Sequence, residues 1–221
     1  MAAIGAGGPM NLNYLFDNWR RVAELTVDHL VLSATALGIA FLIALPLGVA
    51  LATWTRLSLP MLGILGIIYT IPSLAFLAFL IPSLGLGRKP AIAVLVAYAQ
   101  VALVRNIAIG LRGVDPAILE AAAGCGMSPL RSLVSVRIPL ALPVVVAGLR
   151  IAAVTTISLA TITAWIAAGG LGTLMFDGLA RQNQSMIVAG AVTIAALALV
   201  VDAAFRILER MLPASRARAA G

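Results

Sequence analysis

The chain has 221 residues, of which 62% are hydrophobic and only 10% are charged. Together with a mean hydropathy of +1.09, this composition indicates a one-domain integral membrane protein and excludes a soluble fold. The 15 Lys and Arg residues outnumber the 8 Asp and Glu residues. Because they lie beside apolar runs, they indicate orientation in a membrane, and no nucleic-acid partner is expected.

The sequence offers little for catalysis or metal binding. The single cysteine, Cys125, and the single histidine, His29, leave no internal disulfide and no His/Cys cluster for a metal. The one lysine, Lys89, lies between Arg88 and Pro90, so it cannot belong to a nucleotide-binding P-loop. We therefore expect a protein that is not an enzyme and that binds no cofactor or metal itself.

Five stretches are long and apolar enough to cross a membrane, since a hydrocarbon core of ~30 Å needs about 20 apolar residues per helix. They are residues 28–54, 57–84, 91–111, 139–166 and 186–207. The sequence thus predicts an all-α membrane domain over residues 28–209. An extracytoplasmic segment over 1–27 precedes it, with no cleavable signal, and a basic cytoplasmic tail over 210–221 is expected to contact lipid headgroups.

Prolines inside these stretches predict kinked or broken helices. Pro46 lies in the first stretch, Pro60 and Pro72 lie in the second, and Pro143 lies in the fourth. The hydroxyl groups around Pro72 can line a path for a polar solute, or they can simply bond to carbonyl groups of the preceding helical turn. The candidates for a translocation path are Tyr69, Thr70, Ser73, Asn106 and Thr161.

A polar segment, residues 115–137, interrupts the apolar pattern between the third and fourth stretches. Asp115-Pro116 and Ser128-Pro129 each place an N-cap residue before a proline suited to the first helical position, which predicts two short helices. Gly124 and Gly126 predict a turn between them. Because neither helix is expected to span a bilayer, we interpret the polar segment as a docking surface for a soluble partner.

A glycine-rich stretch, residues 167–172, follows the fourth apolar stretch and is named here the glycine loop. Gly169, Gly170 and Gly172 give this loop unusual backbone freedom. Two interpretations remain open at this point. The loop is either a flexible outer segment near a gate or a tight turn that lets helices approach closely.

Two charges inside the predicted spans are candidates for an ion pair. Arg150 follows Pro139 by 11 residues, about 16 Å along a helix, and a charge at that depth needs a partner or water. Asp202 is the acidic residue of the last span. We predict a structural ion pair between Arg150 and Asp202. In the alternative, Arg150 extends toward the membrane surface and Asp202 pairs with Arg206 one turn away.

The Lys and Arg residues of the connecting segments predict the orientation when Arg150 is left out. Nine are assigned to the side that holds the polar segment and the C-terminus: Arg56, Arg105, Arg112, Arg131, Arg137, Arg206, Arg210, Arg216 and Arg218. Five are assigned to the other side: Arg20, Arg21, Arg88, Lys89 and Arg181. The first side is therefore predicted to be cytoplasmic, and the N-terminus is predicted to lie outside.

The residues of the polar segment follow a defined spacing: Glu120-Ala121-Ala122, three residues, Gly126, nine residues and Val136-Arg137-Ile138-Pro139. This pattern resembles the EAA motif of ABC importer permeases. The resemblance implies the type I permease fold with about five transmembrane helices. The two short cytoplasmic helices would couple to a separate ATPase that binds ATP and Mg.

The resemblance also assigns residues to the coupling role. These residues are Asp115, Glu120, Ala121, Ala122, Gly126 and Pro139. We expect Glu120 to cap a helix or to form an ion pair within the polar segment, and we expect Gly126 to allow close approach of the ATPase.

Further motifs narrow the resemblance to the osmoprotectant permeases for glycine betaine, carnitine and choline. The residues that carry it are Thr70–Ala75, Ile81–Gly87, Arg105-Asn106, Gly113–Pro116 and Gly169–Gly172. Tyr69 and Ala102 depart from that branch, in which a polar amide and a proline are common at these places. A quaternary ammonium solute is recognised by aromatic faces, and the candidates in the spans are Tyr69, Phe76, Phe79 and Tyr98.

The resemblance implies alternating access by two permease subunits, identical or homologous, in a bacterial plasma (inner) membrane. An extracytoplasmic solute-binding protein would deliver the solute, and the ATPase would drive the cycle. Three alternatives remain open from the sequence: an ABC permease for methionine or another amino acid, an ATP-independent transporter or channel, and a structural membrane scaffold.

Overall fold

The computed structural model describes residues 13–212, and within that range it contains helices and no strand. The α-helices are α1 (Asn13–Asp17), α2 (Trp19–Thr53), α3 (Ser58–Thr70), α4 (Ser73–Leu84), α5 (Arg88–Arg112), α6 (Pro116–Gly124), α7 (Pro129–Ser132), α8 (Ile138–Thr163), α9 (Gly172–Ala180) and α10 (Gln184–Met211). Short 3₁₀ turns cover Thr55–Leu57 and Ala164–Ile166. Most of the predicted basic tail, and the first 12 residues of the predicted extracytoplasmic segment, lie outside the described residues.

The prediction of up to five membrane spans is confirmed. Four helical stretches in the described part of the chain are long and apolar enough to cross a membrane, and a sharply bent helix pair supplies a fifth. The first of these helices, α2, begins at Trp19, well before the predicted start at residue 28. Its first turns carry Arg20 and Arg21, so hydropathy alone does not find the beginning of this helix.

The second span is broken at Pro72, as its position predicts. Helix α3 ends at Thr70 and α4 begins at Ser73, while Ile71 and Pro72 have extended backbone with ψ of 126° and 129°. A proline disfavours helical backbone at the preceding residue, which explains the break before Pro72. Pro46 and Pro143, in contrast, lie inside the uninterrupted helices α2 and α8.

The second short helix of the polar segment differs from its prediction. Helix α7 begins at Pro129 as expected, but a π-helical turn, Leu133–Arg137, joins it directly to α8. The helical stretch long enough to span a membrane therefore runs from Pro129 to Ile166. Pro139 lacks an N–H and cannot donate to the preceding helical turn. The wider π turn just before it is a known way to absorb such a defect.

The described residues form two compact units. Unit 1 comprises residues 13–36, 72–95 and 156–199, and unit 2 comprises residues 37–71, 96–155 and 200–212. Helices α2, α5, α8 and α10 each contribute residues to both units. The glycine loop belongs to unit 1, and the polar segment belongs to unit 2.

Small residues let the helices of unit 2 pack closely. The core of this unit contains Ala40, Ala44, Leu51, Leu103, Val104, Ile107, Ala141 and Ala152, all buried. A Cβ added at Gly48 would lie 2.5 Å from Cγ2 of Ile107, and one added at Gly148 would lie 2.5 Å from Cβ of Asn106. Such contacts are typical of membrane helices, whose association depends on close van der Waals packing.

The core of unit 1 is built around the start of α9. Leu171 and Leu174 are completely buried there, together with Val22 and Met186. Gly190 allows α10 to approach α9, because a Cβ at this position would lie 2.9 Å from Cγ of Met175. The residues that follow the glycine loop are thus part of a packed core.

Candidate coupling surface and solute path

The polar segment begins with a capped helix. Asp115 is the N-cap residue of α6, and its Oδ1 accepts a hydrogen bond of 2.9 Å from the N–H of Ala117. Ser128 caps α7 in the same way, because its Oγ accepts from the N–H of Arg131 at 3.4 Å. Pro116 and Pro129 occupy the first helical positions. Local sequence therefore sets where both helices begin.

The outer face of the polar segment is exposed. Ala122 is buried, whereas Glu120 and Gly126 are exposed. Glu120 has no hydrogen-bond or ion-pair partner among residues 13–212, so the expected cap or ion pair within the segment does not form. The turn at Gly126 has φ of +75°, and a Cβ there would meet no atom within 4 Å. A carboxylate and an open glycine turn of the polar segment are thus both exposed.

Two arginines, one just before the polar segment and one at its end, donate hydrogen bonds within unit 2. The Nη2 atom of Arg112 donates to the carbonyl oxygen of Leu51 and to Oγ of Ser58. At the other end of the segment, Nη2 of Arg137 donates to the carbonyl oxygen of Leu111 at 3.3 Å. Cationic groups commonly satisfy carbonyl groups at helix C-termini. From the sequence, these arginines contributed only to the predicted orientation. Their hydrogen bonds to carbonyl groups were not predicted.

A cavity of about 450 Å³ in unit 2, named here the tyrosine pocket, lies next to the break in the second span. Its lining is Tyr69, Tyr98, Ala99, Val101, Ala102, Arg105, Asn106, Ile151, Ala152 and Thr155. The hydroxyl of Tyr98 donates to the carbonyl oxygen of Ile71, beside the break that precedes Pro72. This bond fixes the ring of Tyr98, whose centroid is 5.4 Å from that of Tyr69.

The polar groups of the tyrosine pocket are Arg105, Asn106 and Thr155. Nδ2 of Asn106 donates to the carbonyl oxygen of Ala102 at 2.8 Å, and no described residue donates to its Oδ1. The guanidinium group of Arg105 has no ion-pair or hydrogen-bond partner in the range 13–212. Arg105 lies inside α5, seven residues before the last residue of this helix, Arg112. It was not among the residues predicted to line the path.

The structure brings together only part of the predicted path. Tyr69 and Asn106 line the tyrosine pocket. Oγ1 of Thr70 donates to the carbonyl oxygen of Ile67 at 2.7 Å, which is the alternative considered for such hydroxyls. Ser73 begins α4 in unit 1, and Thr161 lines a separate cavity of about 250 Å³ in unit 1.

Side-chain contacts hold the glycine loop against α2. Oδ2 of Asp28 accepts from the N–H of Gly170 at 2.8 Å, and Arg88 donates to Oδ1 of the same carboxylate. A Cβ at Gly169 would lie 2.3 Å from Asp28 Oδ2, and a Cβ at Gly172 would lie 2.1 Å from the carbonyl oxygen of Thr161. These contacts support the tight-turn interpretation. No observation tests a gate at this loop, and that role stays a prediction.

His29 completes the contacts of the glycine loop. Its side chain is fully buried. The N–H of Leu171 donates to its Nδ1 at 3.3 Å, and its Nε2 lies 3.0 Å from the carbonyl oxygen of Ile157. Since Nδ1 accepts a hydrogen bond, Nε2 carries the proton and donates to Ile157. The lone histidine therefore has a structural environment.

Asp202 lies between two arginines. Its Oδ1 is 3.9 Å from Nε of Arg150, and its Oδ2 accepts a hydrogen bond of 2.6 Å from Nε of Arg206. The two interpretations of these charges are thus not exclusive. The shorter contact is the one along α10, and a structural role for the Arg150–Asp202 pair stays a prediction.

The long apolar helices define a multi-pass membrane protein. The solved structures of the methionine ABC transporter MetNI in inward-facing conformations share this fold. One of them has a TM-score of 0.79 at 22% identity and covers 86% of this chain and 95% of the matched chain. A second has a TM-score of 0.76 at 23% identity, with coverage of 84% and 93%.

Residues 29–212 match the family described as "Binding-protein-dependent transport system inner membrane component". The chain is 39% identical to the choline transport system permease protein OpuBB of Bacillus subtilis (strain 168), over 91% of this chain and 93% of the relative. It is 38% identical to the carnitine transport permease protein OpuCB of Listeria monocytogenes, over 90% and 91%. The chain therefore belongs to the family of binding-protein-dependent inner membrane permeases, the membrane components of ABC transporters.

Proposed function

We propose that this chain is the permease subunit of an ATP-driven importer for small quaternary ammonium osmoprotectants such as glycine betaine, carnitine and choline. The proposed coupling to an ATPase is supported by one observation, the exposed face of the polar segment. Glu120 has no partner among the described residues, and the Gly126 turn leaves open space around it. A surface of this kind supports docking of a separate ATPase.

The substrate half of the proposal is supported by the relatives. Two of the most similar ones are named for choline and for carnitine transport. A third, OpuCB of Bacillus subtilis (strain 168), is named for glycine betaine, carnitine and choline and is 37% identical over 90% of this chain and 92% of the relative. The solved methionine transporter shares the fold at a lower identity, so methionine serves as the competing substrate in the test below.

The proposed assembly has several parts beyond this chain. Two permease subunits, identical or homologous, surround the path, and ATPase subunits bind ATP and Mg and dock on the polar segment. An extracytoplasmic solute-binding protein delivers the solute, and membrane lipid surrounds the spans. This chain supplies no catalytic group and binds no cofactor of its own.

The proposed orientation places the polar segment and the C-terminus in the cytoplasm and the N-terminus outside. Arg105 lies inside α5, so removing it from the count of nine leaves eight basic residues against five. The bias still favours the same orientation. In this arrangement the polar segment forms the cytoplasmic coupling surface.

The test is uptake of labelled glycine betaine into proteoliposomes that contain the permease with its ATPase and its binding protein, with and without ATP. Choline, carnitine and methionine serve as unlabelled competitors. The proposal predicts uptake that requires ATP and that quaternary ammonium compounds inhibit while methionine does not.

Other outcomes reject parts of the proposal. ATP-dependent uptake that methionine inhibits and choline does not would assign the chain to amino-acid import. Uptake that needs no ATPase would reject coupling through the polar segment. Failure of an assembled, ATP-hydrolysing complex to take up any quaternary ammonium compound would reject the substrate class.

A further inference from the structure

We infer that the tyrosine pocket is a solute-binding site within the permease itself, and that it selects solutes carrying both a quaternary ammonium group and a carboxylate. This inference rests on the proposed function and adds a site and a selection rule to it. The two tyrosine rings would receive the ammonium group, and Arg105 would receive the carboxylate.

The aromatic end of the tyrosine pocket suits a quaternary ammonium group. The rings of Tyr69 and Tyr98 lie with their centroids 5.4 Å apart and their planes inclined at 52°. Two inclined rings offer faces to one cation, and a methylated ammonium needs faces because it has no N–H to donate. The bond from the Tyr98 hydroxyl to Ile71 holds one ring in place before a solute arrives.

The other end of the tyrosine pocket suits a carboxylate. Arg105 carries the single formal charge among the residues that line the cavity, and the described residues include no partner for its guanidinium group. An unpaired arginine within a membrane span has to face water or an anionic ligand. The guanidinium donors of Arg105 make this end cationic, and arginine binds carboxylates through parallel hydrogen bonds.

The spacing along α5 places these two ends on one face. Tyr98 and Arg105 are seven residues apart, which is two helical turns and about 10.5 Å of rise. Both residues line the same cavity. A single solute that carries both charges, as glycine betaine and carnitine do, can therefore contact both ends.

The charge of the tyrosine pocket provides the selection. A solute that has only the ammonium group would meet the positive charge of Arg105 without compensation, and like charges repel most strongly where water is scarce. A zwitterion neutralises Arg105 and places its own cation on the rings. The pocket should therefore prefer betaines over choline, whatever the preference of the binding protein.

The test is equilibrium binding of labelled glycine betaine to the full-length permease with its ATPase in lipid nanodiscs, without the binding protein. Four probes test the contribution of each chemical group. Glycine betaine has both charged groups, choline lacks the carboxylate, acetate lacks the ammonium group, and glycine lacks the methyl groups. We expect saturable binding of glycine betaine and weaker competition by each of the other three probes.

Substitutions then assign the two ends of the tyrosine pocket. Arg105→Gln should weaken glycine betaine binding roughly ten- to a hundredfold, because a charge-assisted contact is lost, while choline binding should stay equal or improve. Tyr69→Leu should weaken both ligands by roughly three- to thirtyfold. Arg181→Gln and Phe16→Leu, at exposed positions outside the pocket, are the matched controls and should bind as the unchanged protein does.

The outcomes separate this inference from the proposed function. Equal effects of Arg105→Gln on glycine betaine and choline, or absence of saturable binding while the assembled transporter takes up glycine betaine, would overturn the site and leave the importer in place. Binding by acetate alone with the affinity of glycine betaine would reduce the pocket to an anion site. Absence of ATP-dependent uptake in the complete assembly would reject the proposed function instead.

Discussion

Two glycine turns of this protein have similar backbones and opposite surroundings. Gly170 in the glycine loop and Gly126 in the polar segment have φ of +79° and +75°. At Gly170 a Cβ would lie 2.8 Å from Nδ1 of His29, whereas at Gly126 it would meet nothing within 4 Å. The first turn is closed by contacts inside unit 1. The second is open, and we expect a separate chain to fill its surroundings.

A glycine-rich motif therefore does not by itself indicate a flexible segment. The glycine loop combines positive φ with backbone hydrogen bonds to Asp28 and His29, so its glycines serve close packing. At Gly126, backbone conformation alone explains the glycine within this chain. The four predictions below test this difference and run from the largest expected effect to the smallest.

The largest effect is expected at the closed turn. Gly172→Ala places a Cβ 2.1 Å from the carbonyl oxygen of Thr161 and 2.9 Å from Cβ of Ala164. Backbone atoms cannot yield to this overlap, and tightly packed cores tolerate extra volume poorly. We expect loss of monodisperse protein in detergent, measured by size-exclusion chromatography after membrane extraction. Gly63→Ala in α3, where a Cβ meets nothing within 4 Å, is the control and should leave the yield unchanged. A normal yield of Gly172→Ala would contradict the closed turn.

A substitution at Gly126, in the open turn, should reduce transport and leave folding unchanged. Gly126→Asp adds a charged side chain at the surface where we expect the ATPase to dock, and we predict normal insertion with ATP-dependent uptake reduced more than tenfold. The strain of a positive φ is expected to cost about 1 kcal/mol. Gly126→Ala is the matched control, because it introduces a Cβ at the same φ of +75° without adding a charge.

The two measurements for this pair are thermal stability and uptake in proteoliposomes. Equal loss of uptake in Gly126→Asp and Gly126→Ala would show that backbone strain alone is responsible. Loss of extractable protein in Gly126→Asp would assign this glycine to folding.

A smaller effect is expected from the histidine that holds the glycine loop. His29→Phe keeps a ring in the buried site but leaves the N–H of Leu171 without its acceptor, which should lower the free energy of unfolding by roughly 1–3 kcal/mol. His29→Gln supplies another acceptor and should recover part of the loss. The measurement is the midpoint of thermal unfolding in detergent. A midpoint of His29→Phe equal to that of the unchanged protein would show that the hydrogen bond to Leu171 adds no stability.

The smallest effect is expected from the ion pair beside the glycine loop. The side chains of Arg88 and Asp28 are 50% and 29% exposed, so solvent screens their attraction. Arg88→Gln should change stability by about 0.5 kcal/mol or less, and the change should shrink at high salt. Asp28→Asn should cost more, since this carboxylate also accepts from Gly170. The exposed Arg181→Gln serves as the control, and equal costs for the two substitutions at Asp28 and Arg88 would contradict the role of the Gly170 bond.

Much of this architecture can be predicted from sequence because its signals are local. Apolar length predicts five spans, the cap residues Asp115 and Ser128 predict where α6 and α7 begin, and Pro72 predicts the break in the second span. Each of these depends on residues within one or two helical turns. The family resemblance of the polar segment is equally a property of contiguous sequence.

The remaining features depend on contacts between distant parts of the chain. Tyr98 reaches a carbonyl group 27 residues away, and Asp28 accepts from a residue 142 positions later. The charge count treated Arg105 as a residue of a connecting segment. In the structure it lines a cavity together with two tyrosines. Periodicity and charge counts contain no information on such pairings, since many pairs of distant residues fit the same pattern.

The sequence by itself determined the class of protein, the number of spans and the position of the polar segment, because hydrophobic length, helix caps and motif spacing act locally. Only the tertiary structure decided that α7 continues into α8, that the glycine loop is a packed turn, and which polar side chains share the tyrosine pocket. The physical reason is that burial and hydrogen bonding between helices depend on how the helices pack. Local sequence patterns do not determine that packing.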